Sequence, residues 1–332
     1  MRRAPPSIDR AKLRPVSLSE RRSGVSSRDA GHPHQPGDSF ANFLDHLPDL
    51  LGARDLRTTI NAWAEAWTAG RTIVWAFGAH LIKVGLSPLL VDLLEKGAIS
   101  ALSTNGAACV HDLELALIGR TSEDVAVSLD DGSFGMAKET AERLNAAIAL
   151  GAERGLGMGE SVGREILEGD YPERAGSVLA AAVRLEIPVT VHVAVGSDVH
   201  HMHPGADGAA LGATSYRDFE TLAGLVATLE GGVHFNVGSA VILPEVFLKA
   251  LSMARNLGHR VENFTTVNLD FTRQYRAEVN VVERPTRLGG RGLSLVGHHE
   301  ILVPLLAAGV IEAVSTGSAS GAKPGQTGEE GS

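Results

Sequence analysis

The sequence predicts an α/β protein: a mostly parallel sheet with helices on both faces, preceded by extra amino-terminal helices. Three observations predict it. Short apolar runs alternate with helical segments along the chain, and each run closes on a polar, mostly Gly-containing turn. Aromatic residues make up only 5% of a chain that is 44% hydrophobic. The core must therefore be built from Ala, Leu, Val and Ile, which suits strand–helix alternation better than a β-sandwich.

Residues 40–51 and 55–70 have the apolar spacing of two amphipathic helices. Residues 71–77, RTIVWAF, form the first buried-strand candidate, followed by the helix SPLLVDLLEKG. ISALST is the second strand and NGAACVHDLELALIG the helix after it. A helical stretch runs from Met136 to Leu185 with breaks at Gly157, Gly159 and Pro172. IPVTVHVAV is a strand of β-branched and small residues, and a helix from Asp218 stops at Gly231-Gly232. VHFNVG is a strand, and a helix with Pro244 at its start follows. NFTTVNLDF is the fifth strand and residues 300–312 the closing helix. Such alternation makes βαβ units in one domain, residues 39–314.

Residues 1–38 are rich in Pro, Ser, Arg and Gly without apolar period and read as a disordered tail. Residues 315–332 read as a flexible tail. The net charge is −9, made of +4 over residues 1–38 and −13 over the rest. An acidic body excludes a nucleic-acid footprint and a basic membrane-binding patch, and suits a cationic small-molecule substrate. No stretch approaches the ~18 uninterrupted apolar residues of a membrane span. The single Cys109 excludes an intrachain disulfide, and the first residues lack an apolar signal core. The expected location is the cytoplasm.

In parallel sheets ligands bind at the carboxyl ends of the strands. The turns there are Gly78-Ala79-His80 with Lys83, Thr104-Asn105-Gly106-Ala107, Gly196 to His203, Asn236-Val237-Gly238, and Asn268-Leu269-Asp270. None is a clean G-x-G-x-x-G. Small residues at such turns admit a ligand to backbone N–H groups and to the positive end of a helix dipole, or simply punctuate the chain. Of thirteen histidines, His200, His201 and His203 crowd one turn, His192 precedes them, and His298-His299 form a late pair. Imidazole serves as proton shuttle, substrate ligand, metal ligand or structural group. With Asp198, the residues His192, His200, His201 and His203 are candidates for a divalent metal such as zinc, although their spacing matches no strong metal motif. His111 and Asp112, one turn into a helix, line a cleft mouth or stand as surface groups. Lys83 is a binding or nucleophilic lysine, or a solvated one. Cys109 reads as packing.

The order of these turns resembles deoxyhypusine synthase over roughly residues 40–312. Residues 80–85, HLIKVG, resemble a strand-end turn with L-I-x-x-G. Residues 105–113, NGAACVHDL, resemble T-T-A-G-G-V-E-E-D-L, and Ile187-Pro188-Val189 resembles an I-P-V segment. Residues 298–306, HHEILVPLL, resemble D-A-S-L-V-F-P-L-L. The resemblance implies a Rossmann-like NAD-binding fold with cofactor contacts at Ala79, His80, Asn105, Gly106, Ala107, Gly238 and Asn268. It also implies a polyamine side at His111 and Asp112, and assembly as a homotetramer or dimer. The family's paired glutamates are replaced by His111-Asp112. Its catalytic histidine falls near residues 243–245, where none stands, and its W-G-K lysine is missing. The expectation is therefore an NAD-binding transferase or oxidoreductase acting on a small amine-bearing substrate, and not a true deoxyhypusine synthase. His111, Asp112, His201, His298 and Lys83 are its catalytic candidates. The alternatives are a metal-dependent hydrolase or lyase built on the histidine cluster, and a non-catalytic ligand-binding protein.

Overall fold

The structure, a computed structural model, describes residues 7–317. Six strands build one all-parallel sheet: β1 (Ile73–Phe77), β2 (Ala101–Asn105), β3 (Val189–His192), β4 (Val233–Val237), β5 (Thr265–Asp270) and β6 (Arg291–Val296). Their order is β3-β2-β1-β4-β5-β6. The helices are α1 (Phe40–Asp45), α2 (Leu51–Thr68), α3 (His80–Lys83), α4 (Ser87–Glu95), α5 (Gly106–Ile118), α6 (Val125–Asp130) and α7 (Lys138–Arg154). They continue with α8 (Met158–Glu168), α9 (Val178–Arg184), α10 (Gly208–Ala227), α11 (Ile242–Asn256), α12 (Tyr275–Ala277) and α13 (His299–Ser315). A π-helical turn, Glu278–Glu283, extends α12. Among the described residues, no helix is long and apolar enough to cross a membrane.

Five strands fall where the apolar runs predict them. The sixth, RGLSLV, was not expected. It is an edge strand carrying only Leu293 and Leu295 as buried side chains, and glycines crowd its start. The stretch from Met136 is three helices, α7 to α9. Gly159 lies inside α8 instead of breaking it, because a Cβ there would overlap the Val189 carbonyl beneath the helix. The helix expected from Asp218 begins ten residues earlier, where Asp207 accepts from Ala209 N and Ala210 N. Residues 7–38 run almost wholly exposed with three short 3-10 turns, and Asp29 and His32 pair by backbone with Asp49 and His46. Most of the expected carboxyl-terminal tail lies outside the described residues.

The two faces of the sheet differ chemically. On one, Trp75 and Phe235 pack 4.4 Å apart by ring centroid, and Trp63 of α2 covers both at 5.0 and 4.9 Å. Trp63 also donates Nε1–H to the Ala98 carbonyl at 2.7 Å. On the other face, against α10 and α11, a register row of Thr190, Ser103, Ala76, Asn236, Asn268 and Ser294 crosses all six strands. Asn236 donates to Asn268 Oδ1 at 2.8 Å, while Asn268 and Ser294 both donate to Glu278. Asn268 is thus buried within a polar network under the π-helical turn, away from the strand ends, and is not an open cofactor contact.

Asp112 was expected at a cleft mouth. It is 1% exposed and caps α9 from outside. Its carboxylate accepts from Ser177 Oγ at 2.5 Å, Val178 N at 3.0 Å and Leu179 N at 3.0 Å. Neighbouring residues on a helix point about 100° apart, so His111 faces outward while Asp112 faces in. Replacing Asp112 with Ala strands three buried donors and should cost about 3 kcal/mol, read as a lower urea midpoint. Binding at the hollow described next should be unchanged in the folded variant. Lost affinity with intact stability would return Asp112 to the ligand side.

Candidate active site

In a doubly wound sheet the ligand crevice opens where strand order reverses. Here that is the carboxyl edge between β1 and β4. The turns after these strands are pressed together: Gly78 N donates to Val237 O at 2.9 Å, and Gly238 N to Leu269 O at 2.9 Å. A Cβ on Gly78 would overlap the Gly238 carbonyl, and Gly238 needs its φ of 65°. Over Gly238 lies the ring of His299, the first residue of α13. Its Nε2 is 3.2 Å from the Leu269 carbonyl, so Nε2 carries the proton. The exposed His80 ring stands edge-on to it at 5.6 Å. Burial, then His299, holds the His80 pKa below the ordinary imidazole value. His298, the expected catalytic member of the late pair, turns to solvent instead. Its side chain is 70% exposed beside Glu300, because it caps α13 while His299 begins the first turn.

Beside β2 and β3 a hollow of about 190 Å³ is lined by Lys83, His111, Glu114, Glu123, Phe134 and Asp198, among others. A second hollow of about 440 Å³ adjoins it and shares Glu114 and Glu123. His111 is half-buried, with Nδ1 2.6 Å from Thr121 Oγ1. Thr121 gives its one hydroxyl proton to Glu114 Oε2 at 2.5 Å. Its oxygen can then only accept from His111, so Nδ1 is protonated and Nε2 is the basic nitrogen. Burial, helped by Lys83, lowers the His111 pKa to about 4, so the ring is neutral near pH 7. Glu114 also accepts from Thr140 at 3.1 Å, and Glu123 from Gly135 N at 2.8 Å. Lys83, read as either a binding or nucleophilic lysine or a solvated one, is exposed at this rim.

Asn105 caps α5 by accepting from Ala108 N at 3.1 Å. Asp198, from the turn after β3, lies over the same helix end. A Cβ on Gly106 would overlap its Oδ2. Burial pushes the Asp198 pKa up to about 6, against the opposing pull of the Ala107 N–H and Ser197. His201 Nδ1 accepts from Gly196 N at 3.2 Å and Asp198 N at 3.4 Å, which leaves the proton on Nε2, 3.8 Å from Asp198 Oδ2. His200 is fully buried with neither ring nitrogen hydrogen-bonded. His203 is half-buried with Nε2 unpartnered. His192 is buried in β3 beside Thr190 Oγ1 at 3.1 Å. Among the described residues no group of three or more His, Cys, Asp or Glu side chains is arranged to hold a metal ion. The candidate ligands His192, Asp198, His200, His201 and His203 therefore do not form the expected site. On a tight 3-10 turn, successive side chains fan about 120° apart instead of converging.

The sequence-predicted residues divide into two groups linked by α3. His80, Ala79 and Gly238 meet at the β1/β4 crevice; Lys83, His111, Ala107 and Asp198 line the hollow, with Asn105 and Gly106 at the end of α5 beside Asp198. Glu114, Thr121 and Glu123 were not expected, and His299 was noted only as the neighbour of His298. Glu114 follows His111 by three residues, a spacing that places both on one helix face and was legible.

No protein-family model matches the chain, and no curated protein resembles it in sequence. Solved structures do resemble it. AgrE in its ternary complex with ornithine and NAD+ has a TM-score of 0.51 at 15% identity, over 79% of this chain and 34% of AgrE. A candidate LOR/SDH protein from Methanococcus maripaludis S2 scores 0.50 at 15% identity, over 87% of this chain and 75% of the other. A candidate deoxyhypusine synthase from Entamoeba histolytica scores 0.50 at 12% identity, over 86% of this chain and 97% of the other. The chain spans about a third of the length of AgrE. At these identities the likeness concerns architecture alone, and that architecture is the deoxyhypusine synthase-like α/β fold implied by the order of the strand-end motifs.

Proposed function

We propose that this chain is an enzyme acting on a small, positively charged, amine-bearing substrate held in the hollow beside β2 and β3, with His111 as its proton acceptor. One observation carries the reading: Glu114, Glu123 and Asp198 surround a single imidazole there, against one ammonium, Lys83. Three carboxylates in a half-enclosed site attract a cation and repel an anion. The Thr121–Glu114 pair holds the His111 ring with Nε2 unprotonated and free to accept, the tautomer a general base needs. The amine of ornithine in AgrE supports the substrate class by analogy of fold. Assembly as a dimer or tetramer rests on the resemblance to deoxyhypusine synthase.

NAD enters this reading through AgrE, and would supply hydride transfer when bound. Of the implied contacts, His80 is exposed at the switch point, and Ala79 and Asn105 are partly so. Gly106 and Ala107 face Asp198, Gly238 faces His299, and Asn268 is buried. This set does not fit a dinucleotide laid across both turns, so no step is routed through it.

Calorimetric titration with 1,4-diaminobutane and with ornithine tests the proposal. A cation prefers the ionised carboxylate, and the folded Asp198 ionises near pH 6. Affinity should therefore rise with pH through about 6, and that rise should vanish in Asp198→Asn. No binding of either amine at millimolar concentration would end the reading. Glu114→Gln or Glu123→Gln should each weaken binding several-fold, on the order of 1 kcal/mol for a partly exposed charge.

His111→Gln should leave amine affinity within a few-fold and lower amine-dependent turnover by a factor of about 10²–10⁴. In the parent, the acid limb belonging to His111 should fall near pH 4, because burial and Lys83 depress its pKa. Undiminished turnover in His111→Gln would remove the base from that position.

A further inference from the structure

We infer that Asp198 is the chain's own anion at the amino end of α5, so that this seat is closed to phosphate-bearing ligands and opens when the carboxylate is removed. The inference stands apart from the identity of the substrate, since it concerns what the seat rejects.

A helix leaves its first N–H groups without intrahelical partners, and its dipole makes that end attractive to anions. α5 has thirteen residues and follows β2 directly, the usual place for a phosphate in a parallel sheet. Two side chains already serve it. Asn105 takes Ala108 N, and the Ala107 N–H points to Asp198. Gly106 has no side chain, yet the space is not open, because the Asp198 carboxylate fills it. Asp198 is only 6% exposed, and its Oδ2 has no hydrogen-bond partner in the protein. A buried carboxylate with an unpaired oxygen is costly, and the helix end offsets part of that cost, with the His201 Nε2–H farther off at 3.8 Å.

The loop that carries Asp198 is pinned. Asn145 Nδ2 donates to the His200 carbonyl at 3.0 Å. His201 accepts two backbone N–H groups of the same turn. Val199 and Met202 pack directly on Gly135, where a Cβ would crowd both. The carboxylate is therefore a fixture of the fold and not a mobile arm that a dinucleotide would sweep aside. A phosphate at this seat would meet Asp198 first and Glu114 and Glu123 behind it.

Inorganic phosphate and NAD, titrated into the parent, Asp198→Ala and Asp198→Asn, test the inference. Asp198→Ala should bind inorganic phosphate at least about tenfold more tightly than the parent, on the scale of one charge-assisted hydrogen bond regained. Asp198→Asn keeps the shape without the charge and should gain in the same direction. Asp198→Glu should restore exclusion. Glu123→Gln removes an equal charge elsewhere in the hollow and should change phosphate affinity less than threefold. In amide NMR spectra, phosphate should shift Ala107 and Ala108 in Asp198→Ala and leave them unmoved in the parent. Equal phosphate affinity in the parent and in a folded Asp198→Ala or Asp198→Asn would overturn the inference. So would tight NAD binding by the parent with the Ala107 amide shifted.

Discussion

Three helices here receive at their amino ends carboxylates supplied by other elements. Asp112 of α5 serves α9, Asp218 of α10 serves α8, and Asp198 of the β3 turn lies on α5. Asp218 Oδ2 accepts from Gly159 N at 2.9 Å and from Val191 N of β3 at 2.8 Å, so one oxygen joins a helix end to an edge strand. The glycines at two of these ends follow from the same contact. A Cβ on Gly157 would overlap Asp218, and one on Gly106 would overlap Asp198. Each carboxylate is buried and would be unfavourable alone, but the unpaired N–H groups and the dipole of a helix end offset part of that cost. These links tie α5, α8, α9, α10 and β3 together, and they set where His111 and the rim of the hollow stand.

The β4–β6 half of the sheet is organised by backbone groups and side-chain amides around one carboxylate, Glu278. There the turns meet through backbone, with Gly78 against Gly238 and Gly238 beneath His299, and the strands meet through the Asn236–Asn268–Glu278–Ser294 network. The two halves thus present different chemistry at one edge. One offers paired imidazoles at a crevice, and the other offers carboxylates around an imidazole in a hollow. α3 bridges them, with His80 at its first position and Lys83 at its last.

The alternation of apolar runs carried most of the fold, because strands buried on both faces have no polar period to obscure them. β6 escaped because an edge strand with two buried leucines and glycines before it lacks that signature. The turns that hold the site were legible as Gly- and Asn-rich punctuation, and His111 with Lys83 falls among them. What the sequence could not reveal was direction. Asp112 and His298 each adjoin a residue that faces the site instead, His111 at the hollow and His299 over Gly238, and only the helix phase decides which one of each pair does so. The caps were equally hidden, since Asp112 reaches Ser177 and Asp218 reaches Gly159 across some sixty residues of chain.

The histidine-rich turn illustrates how residue type and residue role separate. Near neutral pH, burial keeps His192, His200 and His234 uncharged, joined for His200 by its neighbours His201 and His203, with pKa values of about 4, 4 and 3. His234 lies flat on Phe247 at 3.8 Å, which is the behaviour of an apolar ring. His200 and His234 are buried with neither ring nitrogen hydrogen-bonded in the protein, whereas His192 keeps one contact, to Thr190 Oγ1. In the hollow, Asp198 changes charge close to neutrality, because burial lifts it to about 6 while the helix end draws it back. Its charge decides the sign of the potential at the mouth of α5. Ionised, it favours a cation beside it and bars a phosphate; protonated, it loses both effects together. On the proposed reading, Asp198 thus joins Glu114 and Glu123 in favouring a cation, and it alone occupies the mouth of α5, in the space that Gly106 leaves without a side chain.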